Sequence, residues 1–457
     1  MTYNNNNPLT TSGVVVNMAS GTVVGDASIG TDTLRSIEQV FGSNFADTYD
    51  ATNFGAAGFQ NASTNNVGNN GTFNSFQGLA GNDLITGNGN TQILYGNATV
   101  SGVTVDLAAG TAVGDASVGS DTITGGVNNV QGTNFDDTIT GGAGNETLGG
   151  GNGNDTLNGA GGSDAITGGG GNDIIDGGAG GDMAVYAGTI GQYTTVTAGS
   201  VSGNGEGTDT ISNIEVLQFG TGATAPAYYL VASGTAGTPV DISGLNLGGT
   251  AGLSSLTGNT DDFVTIGQNF FGRPINLGAG SADTVNLGIA GVGYTLALSG
   301  VENLNGTAGD EFVTLTDNAN GLAVDLGSGN NDFLQLANGA NSFSVANVEF
   351  IQTNDFVGSS DDTLFLLNNV SGVTVNLNNG NNTLNLAAGI NSLTNAHNVQ
   401  TINGSASNDD LTIGNITGST FNMGDGTDTL QIATAGYTSL NFIGVENIVG
   451  SAGDDFV

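Results

Sequence analysis

The stretch GGNGNDTLN (Gly150 to Asn158), GAGGSDAIT (Gly159 to Thr167) and GGGGNDIID (Gly168 to Asp176) decides the fold. Three nonapeptides run in tandem, each with a glycine-rich turn, an acid at its sixth position and a short apolar strand. Extending the frame sets Asp137, Glu146, Asp155, Asp164, Asp173 and Asp182 nine residues apart. One such unit cannot bury its apolar residues alone. Stacked at a fixed period, the units bury one another's apolar rows, so the stretch is predicted to form a parallel β-roll.

Composition supports a ladder over a large part of the chain. The 457 residues exceed what one compact core usually holds. With 81 glycines, 6% aromatics and no Trp, the composition by itself would suggest disorder. Against that stands a hydrophobic fraction of 37%, spread as Val, Leu and Ile at short regular intervals. A ladder accommodates both, with thin apolar rows inside and glycines at the corners.

Charge is one-sided. There are 41 Asp and Glu against two basic residues, Arg35 and Arg273, for a formal charge of −39. Such a surface repels nucleic acid and anionic lipid, which excludes both as direct partners. Neighbouring coils of a β-roll lie about 4.8 Å apart. At an effective dielectric of about 20, two carboxylates at that spacing repel by roughly 3 kcal/mol. A stack of them therefore needs a bound cation. Cysteine is absent, so no disulfide staples the chain, a role that metal can take over. The opening MTYNNNNPLTT has neither a basic nor an apolar segment of the kind a cleaved leader needs. The apolar runs are a few residues long, far short of a membrane span.

The spacing divides the chain into five segments. Residues 1–131 contain a duplication, VVVNMASGTVVGDASIGTDTL (Val14 to Leu34) returning as VTVDLAAGTAVGDASVGSDTI (Val103 to Ile123). Between the copies lies GLAGNDLIT (Gly78 to Thr86) with Asp83, then GNGNTQILY (Gly87 to Tyr95) with Gln92 where an acid should stand. This segment reads as a degenerate solenoid interrupted by loops. Residues 132–186 are the regular array, 187–222 a hairpin-like cap over its open end, and 223–256 a connector. From 257 to 457 an acidic pair precedes an apolar strand at Asp261–Asp262, Asp310–Glu311, Asp361–Asp362, Asp409–Asp410 and Asp454–Asp455. The second acids are 49, 51, 48 and 45 residues apart. Two more markers recur within each unit. One is LGAGSADTVNL, LGSGNNDFLQL, LNNGNNTLNL and MGDGTDTLQI, which holds Asp283, Asp332, Asn382 and Asp428. The other is VENL, VEFI, VQTI and VENI. Period-two alternation such as VTVNL predicts strands, and each unit is expected to make two or three coils of a wider solenoid. The closing GSAGDDFV matches the opening of a further repeat, so the repeats are expected to continue past residue 457; the alternative is a C-terminal export signal, an acid followed by apolar residues.

Residues 132–182 resemble the RTX, or haemolysin-type calcium-binding, repeat family. GTDTISNIEVLQFG resembles the segment that commonly succeeds such arrays in secreted bacterial proteins. The resemblance implies an all-β, right-handed parallel β-roll or β-solenoid with two nonapeptides per coil and several Ca²⁺ ions in the turns. Asp137, Asp155 and Asp173 would then stack along one edge, with Glu146, Asp164 and Asp182 along the other. Turn carbonyls would complete the six to eight oxygens that calcium takes. Asp83, Asp283, Asp332 and Asp428 join these six as candidate metal ligands, with capping of their own turns as the alternative role.

Catalytic constellations are missing. His397 is the sole histidine, there is no HExxH, and no G-x-S-x-G stands in a strand-to-helix context. The repeated acidic pairs argue for structure, since an active site normally occurs once. The chain is therefore read as a non-enzyme: a secreted calcium-binding structural protein of the bacterial surface, of S-layer, filament or adhesin type. Its expected route is type I secretion, and its expected partners are further copies of itself or envelope polysaccharide. The alternatives are the export portion of a larger calcium-dependent enzyme, or an adhesin for carbohydrate or ice. The sequons at Asn61 and Asn415 are expected by chance.

Overall fold

The computed structural model describes residues 2–3, 10–59, 71–221, 225–248, 251–267, 273–289, 294–353, 361–377, 379–416, 418–433, 436–437, 440–452 and 455–456. The sequon at Asn61 and the final Asp454 lie outside them. Among the described residues the protein is a parallel β-solenoid whose helical content is one 3-10 turn, Ile190–Gln192. No helix among them is long and apolar enough to cross a membrane. The chain divides into two compact units, Met1–Ala232 and Ser233–Val457.

In the first unit, Thr138–Thr140, Thr156–Asn158 and Ile174–Asp176 pair in parallel, Thr138 beside Thr156 and Thr156 beside Ile174. On the opposite wall Thr147–Asn152, Ala165–Gly170 and Met183–Tyr186 pair in the same way. Each coil therefore consumes two nonapeptides, as the resemblance implied. A three-residue strand points one side chain inward. Ile139, Leu157 and Ile175 thus line up on one wall, with Leu148, Ile166 and Ala184 on the other, all buried. The core is two aliphatic rows thick, and each buried Leu or Ile contributes about 1.5–3 kcal/mol.

The two duplicated segments fold alike. Val15–Asn17, Thr22–Val24 and Thr31–Thr33 form an antiparallel meander, and so do Thr104–Asp106, Thr111–Val113 and Ser120–Ile123. The outer strands of the second copy join the roll in parallel, against Thr138–Thr140 and Leu84–Thr86. The meanders thereby widen one wall into a 14-stranded sheet.

The segment 187–222 is only partly a cap. Tyr193–Val196 and Ser200–Gly203 form an antiparallel hairpin. Thr208–Ser212 and Val216–Phe219, however, continue the two parallel ladders as one more coil. Ala227–Leu230 then lies antiparallel on Val216–Phe219.

The second unit begins inside the expected connector, where Val240–Asp241 and Leu253–Ser255 already pair in parallel with later strands. Its strands are longer, and many bury alternate residues in pairs, as Phe263–Ile266 buries Val264 and Ile266. The core is accordingly wider. Among the described residues one repeat comprises five strands: Phe263–Ile266, Pro274–Asn276, Thr284–Leu287, Thr295–Ser299 and Asn303–Thr307. Strands alternate between the two walls, so five strands make two and a half coils. The next repeat, opening at Phe312–Leu315, starts on the opposite wall, paired with Thr295–Ser299. The expected two or three coils are thus a half-integer, and successive copies of the acidic pair fall on alternate edges.

Candidate metal centre

The corners of the array are tight. Gly171 has φ +141°, and a Cβ on it would lie 1.7 Å from the carbonyl oxygen of Gly153 one coil earlier. Only glycine leaves room for turns stacked this closely. At the first position of the nonapeptide, a Cβ on Gly159 would stand 2.2 Å from Asp164 Oδ2 and 2.4 Å from the carbonyl oxygen of Gly177. The missing side chain leaves a small space that a carboxylate oxygen and a carbonyl oxygen both face.

The sixth-position acids form two ladders. On one edge the Asp137 N–H donates to Asp155 Oδ1, Asp155 N–H to Asp173 Oδ1, and Asp173 N–H to Asp209 Oδ1, at 2.8, 2.8 and 3.0 Å. On the other, Glu146 N–H donates to Asp164 Oδ1, Asp164 N–H to Asp182 Oδ1, and Asp182 N–H to Glu215 Oε2, at 2.7, 2.8 and 2.7 Å. Each carboxylate so spends one oxygen on the coil before it. Asp83 belongs to the same construction: Asp47 N–H donates to its Oδ1, and its own N–H donates to Asp121 Oδ1. Its neighbours are 36 and 38 residues away because insertions intervene, so the eighteen-residue spacing of the regular array does not reach them. The rung expected at Gln92 is held by its neighbour Thr91, whose N–H donates to Asn128 Oδ1.

In the second unit the acidic pair divides its labour. The outer acid caps the next turn: Asp261 accepts the Ser281 N–H at 2.6 Å, Asp310 the Asn330 N–H at 2.9 Å, and Asp361 the Asn381 N–H at 2.7 Å. These donated N–H groups hold the Asp261 and Asp310 carboxyls below the usual carboxylate range. The inner acid is the ladder rung. Asp262 N–H donates to Asp283 Oδ1 and Asp283 N–H to Glu302 Oε2. On the opposite edge the order is Glu311, Asp332, Glu349. Asp409, Asp428 and Glu446 repeat it.

The third marker thus proves to be a rung. Glu302, Glu349, Gln400 and Glu446 are the glutamates and glutamine of VENL, VEFI, VQTI and VENI, and Glu215 of IEVL matches them. Each comes two residues after a corner position with positive φ: Asn213, Gly300, Asn347, Asn398 and Gly444. That corner turns the N–H of the Glu or Gln back to the carbonyl of the preceding rung, as from Glu302 to Asp283 and from Glu215 to Asp182. Having donated backward, it offers nothing forward, and the ladder ends there. The signal was present in the sequence as a recurring Val or Ile before Glu or Gln, but spacing alone assigns it no role.

All ten candidate ligands are buried. They separate by the state of the second carboxylate oxygen. Asp137 is satisfied by its own turn, with Thr133 N–H on Oδ2 at 2.6 Å and Thr133 Oγ1 on Oδ1 at 3.0 Å. Glu146 accepts the Gly142 N–H at 2.9 Å and Asp283 the Gly280 N–H at 3.1 Å. By contrast, Oδ2 of Asp83, Asp155, Asp164, Asp173, Asp182, Asp332 and Asp428 is buried without a hydrogen-bond partner. Leaving a charged oxygen in that state is costly. Burial pushes Asp155 and Asp164 up to about 7 and Asp182 up to about 6, and neighbouring carboxylates add to the rise. Burial likewise takes Asp83 to about 8, Asp332 to about 7 and Asp283 to about 6. Asp137, Glu146 and Asp173 are raised for the same reason.

These orphaned oxygens fit a hard cation, which takes oxygen ligands and supplies the missing positive charge. No group of three or more His, Cys, Asp or Glu that could hold one ion occurs among the described residues. A cation here would draw on one or two carboxylates and fill its shell with turn carbonyls. His397 sits exposed at the end of Ile390–His397, outside any such site.

Fold and corners together define a parallel β-roll with cation-fitted glycine turns. The chain carries RTX calcium-binding nonapeptide repeats: that family matches it in 4 copies, over residues 69–98, 122–157 and 149–184. No curated protein matches the chain. Among solved structures, the extracellular lipase LipA from Serratia marcescens aligns at 20% identity with a TM-score of 0.20. That alignment covers 52% of this chain and 33% of the lipase.

Proposed function

We propose that this chain is a secreted, calcium-dependent structural solenoid of the bacterial cell surface, of S-layer, filament or adhesin type, exported by type I secretion. One observation carries the reading: Asp155, Asp164, Asp173 and Asp182, four consecutive rungs, each bury a carboxylate oxygen that no donor reaches. Bound calcium supplies positive charge at those oxygens. In its absence the rungs repel one another, the N–H to Oδ1 ladders have little net incentive to close, and the chain stays extended and export-competent. Extracellular calcium sites typically bind at about 10⁻⁴–10⁻³ M, a range that leaves the rungs empty in a calcium-poor cytoplasm and filled outside. The repeats, rather than any catalytic constellation, occupy the described residues, which favours a scaffold role.

The test is far-UV circular dichroism and thermal melting of the purified chain in EGTA and in millimolar calcium, with light scattering to monitor assembly. The expected result is a large calcium-dependent gain in β signal and melting temperature, then growth of ordered aggregates. Identical spectra and melting curves in the two buffers overturn calcium-dependent folding. Calcium-dependent folding without any assembly overturns the surface-lattice role alone.

A further inference from the structure

The acids of the second unit gather at its edges, as rungs and turn caps, and leave one wall almost bare of charge. Among the described residues that wall is a parallel stack of eleven strands, from Leu253–Ser255 to Asn447–Val449. Asp410 is the one acid in these strands, and its Oδ1 accepts a hydrogen bond from Gln431 Nε2 at 3.0 Å. Neither Lys nor Arg occurs in them. Apart from His397 at one corner, the remaining outward side chains are uncharged, Thr314, Gln335, Gln352 and Asn376 among them. By contrast, the other wall of this unit exposes Asp241 and Asp325, and the 14-stranded sheet of the first unit carries Asp50, Asp106 and Asp176 outward.

Across the uncharged wall runs an aromatic row. Strand pairing sets Thr295, Phe312, Phe333, Phe350 and Thr374 side by side on successive strands. The Phe312 and Phe333 rings stack at 4.6 Å and 5°, those of Phe333 and Phe350 at 6.4 Å and 24°. Stacking strengthens the ladder, yet it leaves Phe312 and Phe350 41% and 39% exposed. Thr fills the same row on the strands to either side, so the ladder itself does not require rings there.

We propose that this wall docks a second copy of the chain, face to face, with the Phe312–Phe333–Phe350 row at the contact. Three features select that occupant. Two chains of charge −39 repel wherever their acids meet, and this wall lets them approach without opposing carboxylates. Both copies present the same strand repeat of about 4.8 Å, so a contact made at one coil recurs at the next. Size suffices too: eleven strands of about four residues span roughly 48 by 13 Å, which over two copies is on the order of 1,200 Å², the lower bound of a specific interface. Such a contact rests on the surface-assembly reading and gives that assembly its interface.

Sedimentation velocity of the full chain in millimolar calcium, over a concentration series, is the test. The unaltered chain should self-associate, and the double variant F312T/F350T should do so about tenfold more weakly or worse, because aromatic anchors dominate such contacts. Thr already occupies that row at Thr295 and Thr374, so the double variant keeps its fold, which circular dichroism checks. Q335D, placing a carboxylate in the middle of the wall, should also weaken association, and more so at low salt. Phe365→Thr, on the other wall and 43% exposed in the unaltered chain, should leave it unchanged. Association unaltered in both F312T/F350T and Q335D, or weakened equally by F365T, overturns the proposal and leaves the assembly reading standing. A chain that folds with calcium yet stays monomeric at every concentration overturns both. A monomeric chain whose binding to envelope polysaccharide falls in F312T/F350T gives the wall to a sugar and overturns the second-copy assignment.

Discussion

Replacing Asp164 by Asn isolates what a rung carboxylate does in the absence of calcium. Asp164 is 0% exposed. Its Oδ1 accepts the Glu146 N–H and its N–H donates to Asp182 Oδ1, and an amide preserves both bonds. What changes is Oδ2, which becomes an NH₂ facing the same space as the Gly177 carbonyl. The substitution removes repulsion from Glu146 and Asp182, each one coil away. At a strand spacing of about 4.8 Å and an effective dielectric of about 20, that repulsion is roughly 3 kcal/mol per neighbour. Asp164, pushed up to about 7, relieves part of it by protonation, so the net gain at pH 8 should be about 1–3 kcal/mol. For a unit of this size each kcal/mol moves the melting temperature by about 2–4 °C, giving a rise of roughly 2–12 °C in EGTA. In millimolar calcium the order should reverse, because the variant has lost a ligand. Melting monitored by circular dichroism in both buffers reads both effects. An unchanged or lower melting temperature in EGTA, with the calcium-induced shift intact, would refute the argument that these rungs are electrostatically frustrated without metal.

The pH dependence has a definite sign. Asp155 and Asp164 rise to about 7 and Asp182 to about 6 in the folded chain, against about 3.9 for an unfolded Asp. Stability from protonated rungs is present in full below the unfolded value and is lost as pH rises through the folded values of about 6 to 7. Calcium-free protein should therefore melt higher at about pH 5 than at about pH 8, and a melting temperature that climbs with pH in EGTA contradicts the assignment. Gly171→Ala, at φ +141° and with its Cβ 1.7 Å from the Gly153 carbonyl, should cost at least about 1–3 kcal/mol, the cost of a strained backbone, read as a lower urea midpoint in calcium. Leu157→Ala opens the aliphatic row of one wall and should cost about 2–5 kcal/mol. The same change at Leu84, 42% exposed, should cost little by the same denaturation assay; equal losses would place the core elsewhere.

Much of the architecture is legible in particular residues. The nine-residue spacing of Asp155, Asp164 and Asp173 requires a stacked turn, and the apolar residue two places after each acid is the one that points inward. Elsewhere the one-dimensional spacing misleads. Asp83 has its ladder partners at Asp47 and Asp121 because intervening segments, including an antiparallel meander before Asp121, lengthen the chain between rungs without lengthening the roll. Asp261 and Asp262 look alike as a pair, yet strand alternation sends one outward to cap a turn and the other inward to the ladder. Glu302 and its counterparts carry no metal-ligand signature at all. Their part as the last rung depends on a corner that reverses the direction of one N–H.

The sequence by itself determines the periodic units, the strand-and-turn character, the excess of acid, and the resemblance of residues 132–182 to a calcium-binding repeat family. These come from local chemistry: glycine for the turns, β-branched and aliphatic residues for strands, and carboxylates repeated faster than charge can be screened. Only the tertiary structure decides which carboxylates are orphaned. Asp137 and Asp164 occupy the same place in the nonapeptide, but Thr133 satisfies the second oxygen of one and nothing satisfies that of the other. The reason is that hydrogen-bond satisfaction belongs to stacked coils, whose contacts link residues many positions apart, and no single repeat contains them.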